Sequence, residues 1–197
     1  QQAFYECGLA KPPADRIRNL IGRSLMQMMQ QLAPSVGMGK HEELVETYAA
    51  HYLNPNNRHM RLFPDVLPTL EHLREAGYWL SVATGKGRSG LNQAIAQTGT
   101  GDFWLATACA SECPSKPAPD MVWRLCDELG VMPSESIVIG DTAFDLEMAA
   151  HAGARGIGVT TGAHSRETLQ SAPNIGILSC FGELEGFLQR QGSIEAV

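Results

Sequence analysis

Hydrophobic positions fall into two regimes along the chain. Up to about residue 53 they recur every three or four residues, which predicts helices over 14–21, 24–32 and 41–53, the last through Val45, Tyr48, Ala49 and Tyr52. Gly22, Pro34, Gly37 and Gly39 punctuate these helices, and nothing in the stretch has the pattern of a strand. Met26, Met28 and Met29 form an adaptable apolar face that suits plain packing or a pocket lining. Between 54 and 64 the composition turns to Asn, Pro and Arg, which marks a hinge, so the chain is read as a helical unit over 1–62 and a second unit over 63–197.

Beyond the hinge, short apolar runs alternate with helical ones. Val66, Leu70 and Leu73 define a helix closed by Gly77, and 79–83 reads as a strand leading into Thr84-Gly85-Lys86. A helix through Leu91, Ala94 and Ile95 follows, then a short strand at 103–106 and a helix from Asp120 through Val122, Leu125 and Leu129. The run Ser136-Ile137-Val138-Ile139-Gly140 is apolar, β-branched and too short for a helix, as expected of a strand buried on both faces. A helix over 143–153 comes next, then strands at 157–160 and 175–178 around a helix at 165–171, and a last helix from 181 to about 189. Strands and helices alternating at these lengths predict βαβ units, an α/β fold with a parallel sheet and right-handed crossovers.

A chain of 197 residues with 44% hydrophobic and 18% charged content can bury a substantial core, which excludes a disordered protein. Its net charge of -6, without a long basic run, argues against nucleic acid or an anionic membrane as the main partner. The basic groups Arg16, Arg18, Arg23 and Arg58-His59-Met60-Arg61 read as solvated faces. Five scattered cysteines, Cys7, Cys109, Cys113, Cys126 and Cys180, without a Cys-x-x-Cys pair, fit a reducing cytoplasm. Cys109 and Cys113 alone have a spacing that suggests a metal, and no second pair completes a zinc site. No run of about eighteen apolar residues is present to span a membrane. Oligomeric state leaves no trace in the pattern.

Three strand ends carry chemistry. Asp141 ends one strand and Asp145 stands four residues on, in the first turn of the next helix, so both carboxylates can face one crevice. Hard oxygen ligands there suit Mg²⁺, which takes one or two carboxylates and keeps several waters; alternatively, both acids simply favour a helix N-terminus. Thr84 and the Gly85 amide stand between strand and helix, where they can meet an anion or serve as an ordinary cap. Lys116, held before Pro117 and Pro119, is either a fixed positive charge or a surface lysine in a loop.

The segments Ser81-Val82-Ala83-Thr84-Gly85-Lys86, Lys116-Pro117-Ala118-Pro119-Asp120-Met121 and Val138-Ile139-Gly140-Asp141-Thr142-Ala143-Phe144-Asp145 resemble, in order, the second, third and fourth motifs of the haloacid-dehalogenase-like hydrolase superfamily. With helices ahead of them, they are most similar to its phosphoglycolate-phosphatase-like branch, and the resemblance spans essentially the whole chain. It implies a Rossmann-like, three-layer core with a helical cap inserted after the first strand, and a Mg²⁺-dependent phosphatase working on a small phosphorylated metabolite through an aspartyl-phosphate. By the same resemblance Thr84 and Gly85 hold the phosphoryl group and Lys116 neutralises nucleophile and phosphate. Asp141 and Asp145 serve the metal, Asp145 more often through water or Lys116 than directly. Such chemistry needs positioning and positive charge above all, and crowded carboxylates need a cation among them to stay ionised.

One part of that pattern is missing. The family's first motif is an Asp-x-Asp on its first strand, and no Asp-x-Asp occurs in these residues. The chain opens at Gln1 in mid-pattern, near what resembles the end of the family's first helix at 4–8. The expectation is therefore a chain truncated before the first motif, lacking the first core strand and the nucleophile, and inactive as it stands. Since that strand is the middle of the family's sheet, its loss leaves two facing strands without ladder partners. A haloacid dehalogenase, which needs no Mg²⁺, a phosphomutase with the same cap, and a non-catalytic phosphate-binding module remain as alternatives. The acidic pair counts against the first. A serine hydrolase is disfavoured because Gly87-Arg88-Ser89-Gly90 lacks the full Gly-x-Ser-x-Gly elbow. Arg23 either greets a substrate carboxylate or second phosphate, or is a solvent-exposed loop residue.

Overall fold

Apolar positions at helical spacing bring the first helices together. In the computed structural model, which describes residues 1–54 and 60–192, α1 (Gln2–Glu6), α2 (Ala14–Arg18), α3 (Leu25–Leu32) and α4 (Met38–Tyr52) precede every strand. Phe4, Cys7, Met29, Ala33 and Leu44 form their common core. Of the three methionines, Met29 is buried and Met26 and Met28 are half-buried. Ser24 caps α3 by accepting from the Gln27 amide. The hinge expected at 54–64 lies partly outside the described residues.

The second part alternates as its pattern requires: α5 (Val66–Glu75), β1 (Ser81–Thr84), α6 (Arg88–Thr98), β2 (Ala106–Cys109), α7 (Asp120–Leu129), β3 (Ile137–Gly140), α8 (Ala143–Ala152), β4 (Arg155–Val159), α9 (Arg166–Gln170), β5 (Gly176–Leu178) and α10 (Leu184–Arg190). Every strand pair is parallel: β1 with β2, and β3 with β4 and β4 with β5. Ala83 of β1 and Val138 of β3 pack on one helical layer, against the cluster of Met121, Val122, Leu125 and Met148. Leu80, just before β1, and Ile137 and Ile139 of β3 pack on the other, against Leu73 and Leu184. The result is a three-layer α/β arrangement with helices on both faces. Among the described residues no helix is long and apolar enough to cross a membrane.

The strands differ from expectation in detail. The strand expected at 103–106 is a 3₁₀ turn over Gly101–Phe103, followed by β2 at Ala106–Cys109. Phe103 is buried, and the Trp104 indole donates to the Thr100 hydroxyl at 3.1 Å, which ties the turn. The pairing falls instead to Ala-Thr-Ala-Cys, whose small side chains let α7 approach closely. At β1 the ladder begins two residues late, leaving Trp79 61% exposed.

The ladder is interrupted between β1 and β3. They share both core layers, yet among the described residues β1 pairs only with β2 and β3 only with β4. Their inner edges carry half-buried residues, whereas Ile157 in β4 is fully buried, as parallel strands ordinarily are.

At the start of α5, Asp65 accepts the Gly182 amide at 2.7 Å, joining this helix to the chain before α10. That backbone donor holds the Asp65 carboxyl below its ordinary value. A lowered native pKa gives stability that is present above the unfolded value and lost as pH falls through the native one. Asp65→Asn is expected to lose less stability than the wild type between pH 5 and the acid side of the ordinary Asp range (about 4), as read by urea unfolding at a series of pH values.

Candidate active site

The strands are parallel within each ladder, and Lys116 reaches both the end of β1 and the segment after β3, so these strand ends open on one rim, the ordinary place for a ligand in an open α/β sheet. Thr84 is the last residue of β1, and its hydroxyl accepts the Lys86 amide at 3.2 Å, which bends the chain after the strand. Asp141 follows β3 and Asp145 lies in the first turn of α8.

Lys116 binds these segments together. Its ammonium donates to the Asp145 carboxylate at 2.6 Å and to the Ala83 carbonyl, next to Thr84, at 2.8 Å. The lysine is 6% exposed and Asp145 5%, so the surface-lysine reading is overturned. An ammonium has three protons, and these two bonds are the ones it makes among the described residues. The remaining proton is available to an anion at the rim.

The two aspartates are used differently. Asp145 Oδ1 takes the lysine, while Oδ2 accepts the Thr142 amide at 3.2 Å and the Thr142 hydroxyl at 2.6 Å, closing the N-terminus of α8. Helix capping and ion pairing therefore coincide in one side chain. Gly140 makes the fold-back possible, since a Cβ there would collide with the Asp145 carboxyl group. Asp141 Oδ2 accepts the Ala163 amide at 2.8 Å and its carbonyl accepts the His164 amide. Its other carboxylate oxygen makes no hydrogen bond among the described residues, and the residue is half-buried.

Sequence reasoning missed the loop after β4 that performs this. His164, 8% exposed, accepts the Ala143 amide through Nδ1 at 3.1 Å and packs edge-on to Phe144 at 5.4 Å, so it caps the same helix end from outside. Its only signal was position, a histidine just past a strand that ends on the rim. The N-terminal helices also meet the rim. The Arg23 guanidinium lies 4.3 Å from the centre of the Phe144 ring, and Lys86 donates to the Tyr52 hydroxyl at 2.7 Å.

Mg²⁺ takes one or two carboxylates and otherwise water or substrate oxygens. Asp141 offers one unengaged hard oxygen at the rim and fits that demand, whereas both Asp145 oxygens are already engaged by protein donors.

The haloacid dehalogenase-like hydrolase family matches residues 1–159. This chain belongs to that family. Among its relatives, a phosphoglycolate phosphatase of Mannheimia succiniciproducens is 29% identical over 144 residues, 73% of this chain and 64% of that one. A pyrophosphatase of Bacillus velezensis is 29% identical over 133 residues, 67% and 62% of the two chains. The matched part thus spans under two thirds of either relative. Among solved structures, a hydrolase from Pseudomonas syringae superposes with a TM-score of 0.86 at 21% identity, covering 96% of this chain and 87% of that one, which establishes the common fold.

A buried ion pair adds little net stability, but removing one partner strands the other. Asp145→Asn keeps an acceptor for Thr142 and leaves the Lys116 ammonium without a counter-charge. It is expected to cost about 3–5 kcal/mol in urea unfolding. Adding Lys116→Met should recover part of that loss, a coupling of about 0.5–3 kcal/mol in the double-mutant cycle.

Proposed function

We propose that the rim is the active site of a Mg²⁺-dependent phosphatase acting on a small phosphorylated metabolite, of the kind named by the phosphoglycolate phosphatase relatives. The observation that carries this reading is the buried Lys116 ammonium, aligned by Asp145 and Ala83 with a proton to spare at the end of β1. The phosphatase and pyrophosphatase relatives support phosphoester hydrolysis as the reaction class.

In this reading the Thr84 hydroxyl and the Gly85 amide receive oxygens of the transferring phosphoryl group. Lys116 offsets the charge that accumulates on those oxygens, and Asp145 orients the ammonium. Asp141 holds Mg²⁺, which when bound supplies further charge neutralisation at the phosphate; Asp145 acts beside it through Lys116. Preorganised positive charge of this sort is the main lever in phosphoryl transfer. Residues 1–62 act as a cap over the rim of the 63–197 core. The nucleophile is an aspartate outside these 197 residues, on a strand that pairs between β1 and β3, and it forms an aspartyl-phosphate that water then hydrolyses. Support for that placement is the interrupted ladder together with the absence of an Asp-x-Asp. Five free thiols suit a reducing compartment, and the cytoplasm is the proposed location.

Two measurements test the reading. The 197-residue chain is expected to be inert toward an aryl phosphate with Mg²⁺, and the same chain extended upstream to include the first motif is expected to turn it over. Equal rates would refute the placement of the nucleophile. In the extended protein, Asp141→Asn should lower turnover by about 10²-fold or more, the scale of losing a principal electrostatic stabiliser. Turnover that survives chelation would overturn the part given to Asp141.

A further inference from the structure

The turn Ile21-Gly22-Arg23-Ser24 touches three of the core segments that converge on the rim, those of Gly85, Ser115 and Thr142. A Cβ on Gly22, whose φ is +107°, would stand 2.6 Å from the Thr142 hydroxyl. One on Gly85 would stand 2.5 Å from the Arg23 carbonyl and 2.8 Å from the Gly22 carbonyl. The Ser24 amide donates to Ser115, the residue before Lys116, at 2.7 Å. Backbone approach this close, permitted by two absent side chains, seats the turn directly on the phosphate-binding end of the sheet.

The side chain carried by this turn is not neutralised. The Arg23 guanidinium stacks on Phe144, and its Nη1 reaches Gln27 only at 3.5 Å, the long limit of a hydrogen bond. Its Nε is buried without a hydrogen-bond partner, and no carboxylate pairs with it among the described residues. Buried donors are normally satisfied because leaving them open is costly. A guanidinium oriented by an aromatic face and left with free N–H groups is prepared for an oxyanion, and its planar fork matches a carboxylate bidentately.

We infer that Arg23 is a specificity-determining residue that binds a carboxylate on the substrate, so that the enzyme prefers phosphomonoesters carrying a carboxylate a short distance from the phosphate. This rests on the reading of the rim as a phosphatase site. The carbonyls of residues 22 and 23 lie against Gly85, so the turn that carries Arg23 stands beside the loop assigned to the phosphate.

Ethyl phosphate and phosphoglycolate differ by a methyl group against a carboxylate and separate the two contributions. Their Kd values would be measured by calorimetry with Mg²⁺ on the full chain, for the wild type, Thr84→Val, Arg23→Gln and Arg23→Lys. The wild type is expected to bind phosphoglycolate about tenfold or more tightly than ethyl phosphate, the scale of one charge-assisted pair. Arg23→Gln should reduce that preference to within about twofold while leaving the Kd for ethyl phosphate unchanged. Arg23→Lys, which keeps the charge and loses the fork, should retain only part of the preference and decides the matter if the glutamine variant does not fold. Equal affinities in the wild type, a preference that survives both substitutions, or a loss of both ligands alike would overturn the inference. If ethyl phosphate fails to bind the wild type, or Thr84→Val leaves its affinity untouched, the phosphatase reading falls and the inference with it. If Thr84→Val weakens ethyl phosphate and the preference ignores Arg23, only the inference falls.

Discussion

A buried ammonium in contact with a buried carboxylate is the constraint on which this rim depends. Taking both charges out of water costs several kcal/mol per ion in proteins, and their attraction only roughly offsets it. The Lys116–Asp145 pair is therefore poorly explained as a source of stability. It does fix position. The lysine ends in contact with the carbonyl of Ala83 on one sheet and the carboxylate of Asp145 beyond the other, so segments 29 and 33 residues away from it along the chain meet at a single nitrogen. Any loosening of one segment would leave a charge without its partner, and the geometry of the rim is consequently coupled to the integrity of the core beneath it.

The same economy of donors shapes the start of α8. A helix N-terminus presents amides that need acceptors, and here they are met from two directions: the Asp145 carboxylate takes the Thr142 amide and the His164 ring takes the Ala143 amide. The loop that brings His164 also delivers the Ala163 amide to Asp141. Two acids that look equivalent in sequence thus acquire opposite assignments. One is turned inward and saturated by protein donors, and the other is pinned by a single oxygen with its second oxygen left over for a ligand.

Much of this was legible in the residues, and the illegible parts share a cause. The strand Ile137–Gly140, its trailing aspartates and the helix after them follow from local pattern, because β-branched apolar runs and helical spacing are properties of neighbours in sequence. Thr84 at the end of its strand was legible for the same reason. The burial of Lys116 was not, since a lysine in a proline-rich loop carries no local sign that a carboxylate 29 residues on will cover it. Strand β2 was misplaced because Phe103 and Trp104 imitate a strand while the real one consists of small residues chosen for close helix packing. His164 and the Arg23–Phe144 contact depend wholly on how separate segments meet. Local chemistry picked out Thr84, Lys116, Asp141 and Asp145, and tertiary contact decided what each of them touches.

The interrupted ladder places a further limit on how the proposed nucleophile can arrive. β1 and β3 both run with their C-terminal ends at the rim, and they lie between the same two helical layers. A strand completing the sheet in the antiparallel sense would present its N-terminal end beside Lys116, and any carboxylate following it would lie at the opposite edge. Only a strand parallel to both carries a residue just past its end to the spare proton of the lysine and the open oxygen of Asp141. Being flanked on both sides and covered on both faces, such a strand would read as a continuous apolar run rather than an alternating one. The polarity of the existing strands thus sets the direction and the hydrophobic pattern expected of a segment that would supply the proposed nucleophile just past its end.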